Sequence, residues 1–395
     1  MHLSIRDTMI SGMETFANRI ERKKELYSAL WQYATDNRNG KRFVQVTDRN
    51  LFGQTLENFG AALSSEPAQY DLNSIYEVGL HLRSGALLIA NKGATLFCLS
   101  PKTETPYIAR HIGCCVYFPG LGVEVVNVGL VGNIYNGPVV LRSESACTPS
   151  FLFGSQRCNC AHQWEATREL AAHFNPVLPP HIESGREFEQ WVQQQFTHDK
   201  GKHLPTNRGP GIIIMHIDTQ NGMGSGFSSD EFSFDLFSRA SLRHRGEYSA
   251  EQIHRTTMAG GFRAIGVMPD PRAANNESGY QITPVVLDWL EASHDLIFLS
   301  NNRLKIRQLE DSGYHVTRIK SIGAVNAAGA QEAEERGTEF DHMDIGPSIV
   351  SFSQEMERLQ AEVLTHLNRS PTGVHKTDQH TRATNPLDFS STGHR

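Results

Sequence analysis

Apolar residues recur at helical spacing over residues 13–36, with Phe16, Ile20, Leu26 and Leu30 on one face and charges on the other. A second short helix is expected near "DRNLFGQTLENFGAAL". The next stretch, "GLHLRSGALLIANKGATLFCLS", reads as short strands broken by Gly and Asn-Lys-Gly turns. From about residue 105 the texture is strand-rich, in "GCCVYFP", "GVEVVNVGLVG" and "GPVVLRSES". An amphipathic helix follows at "AHQWEATRELAAHF", with Trp164, Leu170 and Phe174 facing inward. Residues 176–209, with Pro, Gln and His at their edges, read as an insertion.

"GIIIMHI" is a continuous apolar run, the pattern of a strand buried on both faces. It leads into the Gly-rich "DTQNGMGSGF", whose glycines allow either a tight turn or a close approach of backbone to ligand. A helix is expected next at "DEFSFDLFSRASLRHR". "DLIFLSNN" repeats the scheme, followed by the helix "RLKIRQLEDSG" with Gly313 as its C-cap and the strand "YHVTRIK". The expected fold class is α/β with mixed α+β character. Ligands of such sheets sit outside the C-terminal ends of the strands. That rule selects His216, Asp218 and Ser300-Asn301-Asn302 as a candidate site. The expected organisation is an N-terminal extension over 1–104, a catalytic domain over 105–368 and a tail over 369–395. The tail has almost no apolar content, and disorder is expected there.

The length of 395 residues accommodates two or three domains of roughly 150 residues each. A hydrophobic content of 39% is enough for a sizeable core, and the net charge of −6 argues against a general nucleic-acid binder. A local basic pocket for a small phosphorylated ligand remains compatible with that charge. No run approaches the ~18 apolar residues of a membrane helix, and the N-terminus lacks a signal-peptide apolar region. The expectation is a cytoplasmic protein without a membrane partner, in which thiols stay reduced. Cys98, Cys114 and Cys115, set among apolar neighbours, are expected to be buried small hydrophobes.

The remaining cysteines, Cys147, Cys158 and Cys160, crowd into "ACTPSFLFGSQRCNC" with spacing C-x10-C-x-C. Three thiolates and an open fourth position describe a catalytic zinc, and closure by His162 would make the site structural. On spacing alone both remain open, as does a cluster without metal. In an extended segment the side chains of Cys158 and Cys160 point to one side, so both sulfurs reach one ion. Arg157 would offset the thiolate charge. Zinc would bring the pKa of a bound water down to roughly 7.

"FGSQRCNCAHQW" resembles the "FGSxRCDCGxQL" signature of the GTP cyclohydrolase II family, zinc enzymes that open a purine ring. The first cysteine stands eleven positions before the second, as in the family, and Arg142 and Gln163 match its Arg and Gln. "LSNNRLK" is similar to the family's "LTNNPxK", and "HIDTQNGMGSGF" stands where it has "HRQEGRGIGL". The resemblance covers roughly residues 105–345. It implies one Zn²⁺ per chain on Cys147, Cys158 and Cys160, with hydroxide on the zinc attacking a ring carbon of the base. It places Arg142, Gln163, Asp218, Thr219, Gln220, Asn221, Ser300, Asn301 and Lys305 on the nucleotide, with Mg²⁺ accompanying the phosphates. His216, Asp270, Arg272 and Tyr280 are the candidates for proton transfer and anion binding. A homodimer is the family's usual state.

The departures bear on substrate. The family's Glu before the first cysteine is Ala146, and its Glu-Gly-Arg becomes Thr219-Gln220-Asn221. The family's catalytic Tyr falls near Ser241, and an alternative register puts Asn276 and Ser278 in place of Asp270 and Arg272. The long N-terminal extension and the lost purine-loop charges resemble a divergent branch of the family that opens the pyrimidine ring of uracil nucleotides. The expected substrate is therefore UMP, UDP or UTP. GTP, with riboflavin synthesis as the context, is the alternative, and a non-catalytic nucleotide-binding zinc protein is a further one.

Overall fold

A computed structural model describes residues 21–22, 24–63, 75–118, 122–145, 159–182, 184–199, 202–205, 209–217, 281–327 and 348–369, with scattered positions between 328 and 347. The helical pattern near the N-terminus becomes α1, over residues 24–36. Its Leu30 and Ala34 pack with α2 (Arg49–Leu63) on β1 (Phe43–Gln45), β2 (Ile75–His81) and β3 (Ala86–Asn91). Next come β4 (Ala94–Leu99), β5 (Pro106–Phe118), β6 (Gly122–Val131) and β7 (Val139–Ser145). Helix α3 (Asn159–Phe174) follows the cysteine segment. The expected insertion holds α4 (Gly185–Gln194) and the hairpin β8 (Phe196–Asp199) and β9 (Lys202–Pro205). The Ser184 hydroxyl caps α4 by accepting from the Glu187 N–H. Phe188 and Trp191 of α4 then pack edge-on against Phe97 of β4.

The apolar run "IIIMHI" forms β10 (Ile212–Ile217), and the later half continues as α5 (Ile282–Leu290), β11 (Asp295–Leu299), α6 (Arg303–Asp311), β12 (His315–Ile319) and α7 (Phe352–Arg369). Gly313 has φ +86°, the left-handed conformation that ends a helix without a Cβ penalty. The expected helix at "DEFSFDLFSRASLRHR" and the tail from residue 370 lie outside the described residues.

The protein is a mixed α/β structure; its described residues build a ten-stranded sheet, in the order β1-β2-β3-β5-β6-β10-β7-β11-β12 with β4 on β5, beside the β8-β9 hairpin. Strands β1 to β6 pair antiparallel. Strands β10, β7, β11 and β12 run parallel to one another. The expected boundary near residue 104 falls between β4 and β5, which pair along their lengths from Ala94↔His111 to Leu99↔Pro106.

Side chains alternate across a strand, so each parallel strand feeds two cores. Ile213, Met215 and Ile217 join α5 and its Trp289 on one face. Ile212 and Ile214 face α3 and α7 on the other, with Leu170, Leu359 and Val363. Trp164 and Phe174 are half-buried rather than fully inward, and small residues of α3, such as Ala171 and Ala172, take the tightest contacts. Cys114 is buried and Cys98 and Cys115 are half-buried. Burial pushes the Cys98 thiol up. No helix among the described residues is long and apolar enough to cross a membrane.

Candidate functional site

Strands β7 and β10 are neighbours in register, with His216 opposite Glu144 and Ile217 opposite Ser145. The helices that follow them lie on opposite faces of the sheet. The chain after β7 reaches α3, on the face of the Leu170 core, and the chain after β10 reaches α5, on the face of the Trp289 core. Adjacent parallel strands with that divergence form a topological switch point, where open α/β sheets bind their ligands. Cys147 follows the last residue of β7 by two positions, and Asp218 immediately follows the last residue of β10. The ends of β11 and β12 lie along the same edge.

Arg142, near the end of β7, points to the α3 face. Its Nη1 donates to the Leu299 carbonyl oxygen at 2.7 Å and to Ser321 Oγ at 2.6 Å. Gln163, one turn into α3, donates from Nε2 to the Ile322 carbonyl oxygen at 2.9 Å. His216 is buried on the same face, its ring centroid 5.2 Å from that of Trp164.

The "SNN" turn after β11 is held by its own side chains. Ser300 Oγ accepts from the Asn302 N–H at 3.1 Å. Asn302 Oδ1 caps α6 by accepting from the N–H groups of Leu304 and Lys305 at 2.9 and 3.2 Å. Asn301 Oδ1 accepts from the Ser321 N–H at 3.2 Å, which ties this turn to the segment after β12. Lys305 reaches from the first turn of α6 across the sheet edge and donates to the Ser143 carbonyl oxygen at 3.0 Å. Arg142, Gln163, His216, Ser300, Asn301 and Lys305 thus lie along the ends of β7, β10 and β11 and at the N-termini of the helices beside them.

Cys147, Cys158, Asp218, Thr219, Gln220, Asn221, Asp270, Arg272 and Tyr280 lie outside the described residues. Among the described residues no group of His, Cys, Asp and Glu side chains is arranged to hold a metal. One expectation about the cysteines is corrected. Cys160 does not sit in an extended segment, because Asn159 and Cys160 already belong to α3. The helix begins two residues before the amphipathic pattern of "AHQWEATRELAAHF". His162 is paired through Nδ1 with Glu165 Oε2 at 3.2 Å.

Several residues at the site went unnoticed in the sequence. Arg318 of β12 donates from Nε to the Ser300 carbonyl oxygen at 3.0 Å and from Nη2 to Asn301 Oδ1 at 3.3 Å. On α7, Arg358 donates from Nη2 to the carbonyl oxygens of Lys320 and Ser321 at 3.1 and 3.2 Å. Glu355 Oε2 accepts from the Gly323 N–H at 2.8 Å, and the two side chains bind each other in a two-point contact. Burial alone would raise the Glu355 carboxyl, but hydrogen bonds from Arg358 and Gly323 and the charges of Arg358 and Lys320 hold it below the ordinary carboxylate range. Applying the strand-end rule to "YHVTRIK" would have singled out residues 320–323. Nothing local in the sequence pairs that loop with α7.

No family model matches the chain. A stretch of 55 residues is 36% identical to epi-neemfruitin B synthase L1AT of Melia azedarach, covering 14% of this chain and 13% of that protein. The chain therefore spans only a small part of the length of the curated protein it matches.

Proposed function

We propose that the chain is a zinc-dependent nucleotide cyclohydrolase with a GTP cyclohydrolase II-like catalytic core, acting on a uracil nucleotide. The observation that carries this reading is the switch point between β7 and β10. The cysteine segment and the Asp218 segment, far apart in sequence, leave the sheet from adjacent strand ends.

The donor set suits the metal. Cys147, Cys158 and Cys160 would supply three soft thiolates. Zinc bound there would supply Lewis-acid polarisation and activate water at neutral pH. The remaining steps belong to the chain. His216, buried beside Trp164 at the end of β10, takes or returns a proton at the opening ring. Arg142 and Gln163, each anchored to the β12 loop, orient the nucleotide from the α3 face. Lys305 and the N-terminus of α6 face its anionic end. Thr219 and Asn221, in place of charged residues, suit a neutral pyrimidine better than guanine.

Cys158→Ser tests the assignment. Loss of bound zinc and of turnover, with an unchanged circular dichroism spectrum, is the expected result. Turnover that survives loss of the metal would overturn it. Zinc retained on four protein ligands without turnover would instead indicate a nucleotide-binding protein.

A further inference from the structure

A second constellation lies away from the strand-end site, where the β2–β3 hairpin meets α5. His81, the last residue of β2, is buried, with side-chain exposures of 2% for it and 4% for Asp288. His81 Nε2 lies 2.9 Å from Asp288 Oδ2, and His81 Nδ1 lies 2.7 Å from Ser84 Oγ. Ser84 itself is exposed on the hairpin turn. Asp288 is fixed in place: the Tyr314 hydroxyl donates to its Oδ1 at 2.5 Å, and Arg42 Nη1 stands 3.7 Å from the same oxygen.

These contacts select one arrangement of protons. The Asp288 carboxylate accepts, so the imidazole proton sits on Nε2 and the Nδ1 lone pair faces Ser84. The Ser84 oxygen accepts from the Ala86 N–H at 3.3 Å, which leaves its own proton for His81. A hydroxyl at the surface, a base within reach and a buried carboxylate orienting that base make up an activated nucleophile. The same Nδ1 also accepts from the Ser84 N–H at 3.3 Å, which holds the turn against the imidazole. That turn contact does not require the Asp288 carboxylate buried behind the ring.

We propose that Ser84, His81 and Asp288 form a nucleophilic serine site that takes acyl groups from activated carboxylic esters. Ser84 Oγ bonds to the acyl carbon while its proton passes to His81 Nδ1. The ester C–O bond then breaks, and the departing alcohol carries that proton away. Water attacks the acyl-serine, gives a proton through His81 to Ser84 Oγ, and releases the carboxylic acid. Asp288 accepts from His81 Nε2 throughout and takes no part in the transfer. This site is independent of the zinc reading, since it shares no residue with it and lies at the far end of α5 from Thr283, which contacts Ser143.

The test treats the full-length protein with a fluorophosphonate, in which Oγ–P bond formation expels fluoride, and maps the adduct by mass spectrometry. The expected adduct is on Ser84, forming faster than on any other serine of the chain and absent in Ser84→Ala. His81→Ala, once circular dichroism shows it folded, should label about 100-fold more slowly. The wild-type arm stands without that variant. No adduct on Ser84, or one no faster than on other serines, would overturn the proposal, as would labelling unchanged in folded His81→Ala.

Discussion

Arg142 of β7 reaches past β11 to Ser321, donating to its Oγ at 2.6 Å and to the Leu299 carbonyl oxygen on the way. One guanidinium therefore spans three parallel strands at the edge where their loops emerge. Its charge is held in place before any ligand arrives, which is the condition for recognition without a large ordering cost.

Replacing Arg142 with Ala removes both bonds. The expected loss of stability is about 1.5–3 kcal/mol, the range for hydrogen bonds to charged groups, read from urea titrations. Nucleotide affinity, measured calorimetrically, should fall as well. Arg142→Lys keeps the charge but lacks the forked geometry, so it should restore affinity only in part. Wild-type affinity in Arg142→Ala would remove this residue from the nucleotide site.

For His216, the expected role is proton transfer. His216→Gln should lower turnover about 100-fold while zinc content stays unchanged. Trp164 lies against the His216 ring, so nucleotide binding should alter tryptophan emission in the wild type and much less in Trp164→Phe. Equal turnover in His216→Gln would reduce this histidine to packing.

Glu355 gives the β12 loop a pH dependence. Its carboxyl lies below the ordinary range in the folded protein. It therefore contributes stability that is fully present above the unfolded value of about 4.3 and is lost as pH falls through the lower folded value. The Tm difference between wild type and Glu355→Gln should be largest near neutral pH and close as the solution is acidified below about pH 4. A difference that grows on acidification would contradict the assignment.

Much of the parallel half of the sheet was legible from local pattern. The runs at 212–217 and 295–299 are too apolar for exposed strands, and Gly313 marks the end of α6. Motif and strand-end position likewise mark Arg142, Gln163, Ser300, Asn301 and Lys305, and the fold gathers them along one edge. The pairing of β10 between β6 and β7 was not legible, because register is a long-range property that no short window encodes. The contacts of Arg358 and Glu355 with residues 320–323 were hidden for the same reason. On α7 these two read as an ordinary i,i+3 surface pair.

Close backbone contact at the entry to β10, the end of the strand opposite the switch point, is also testable. Gly132 has φ +69°, and a Cβ there would lie 2.4 Å from the Pro210 carbonyl oxygen. Gly132→Ala should destabilise the protein by about 1–3 kcal/mol and displace the entry to β10. An unchanged urea midpoint would contradict that.

The most direct measurement follows ultraviolet spectra of the zinc-loaded protein with UMP, UDP, UTP and GTP in parallel. Ring opening predicts loss of the pyrimidine absorbance with a uracil nucleotide and no release of formate. Unchanged spectra with all three uracil nucleotides, or turnover confined to GTP with formate and pyrophosphate released, would contradict the account.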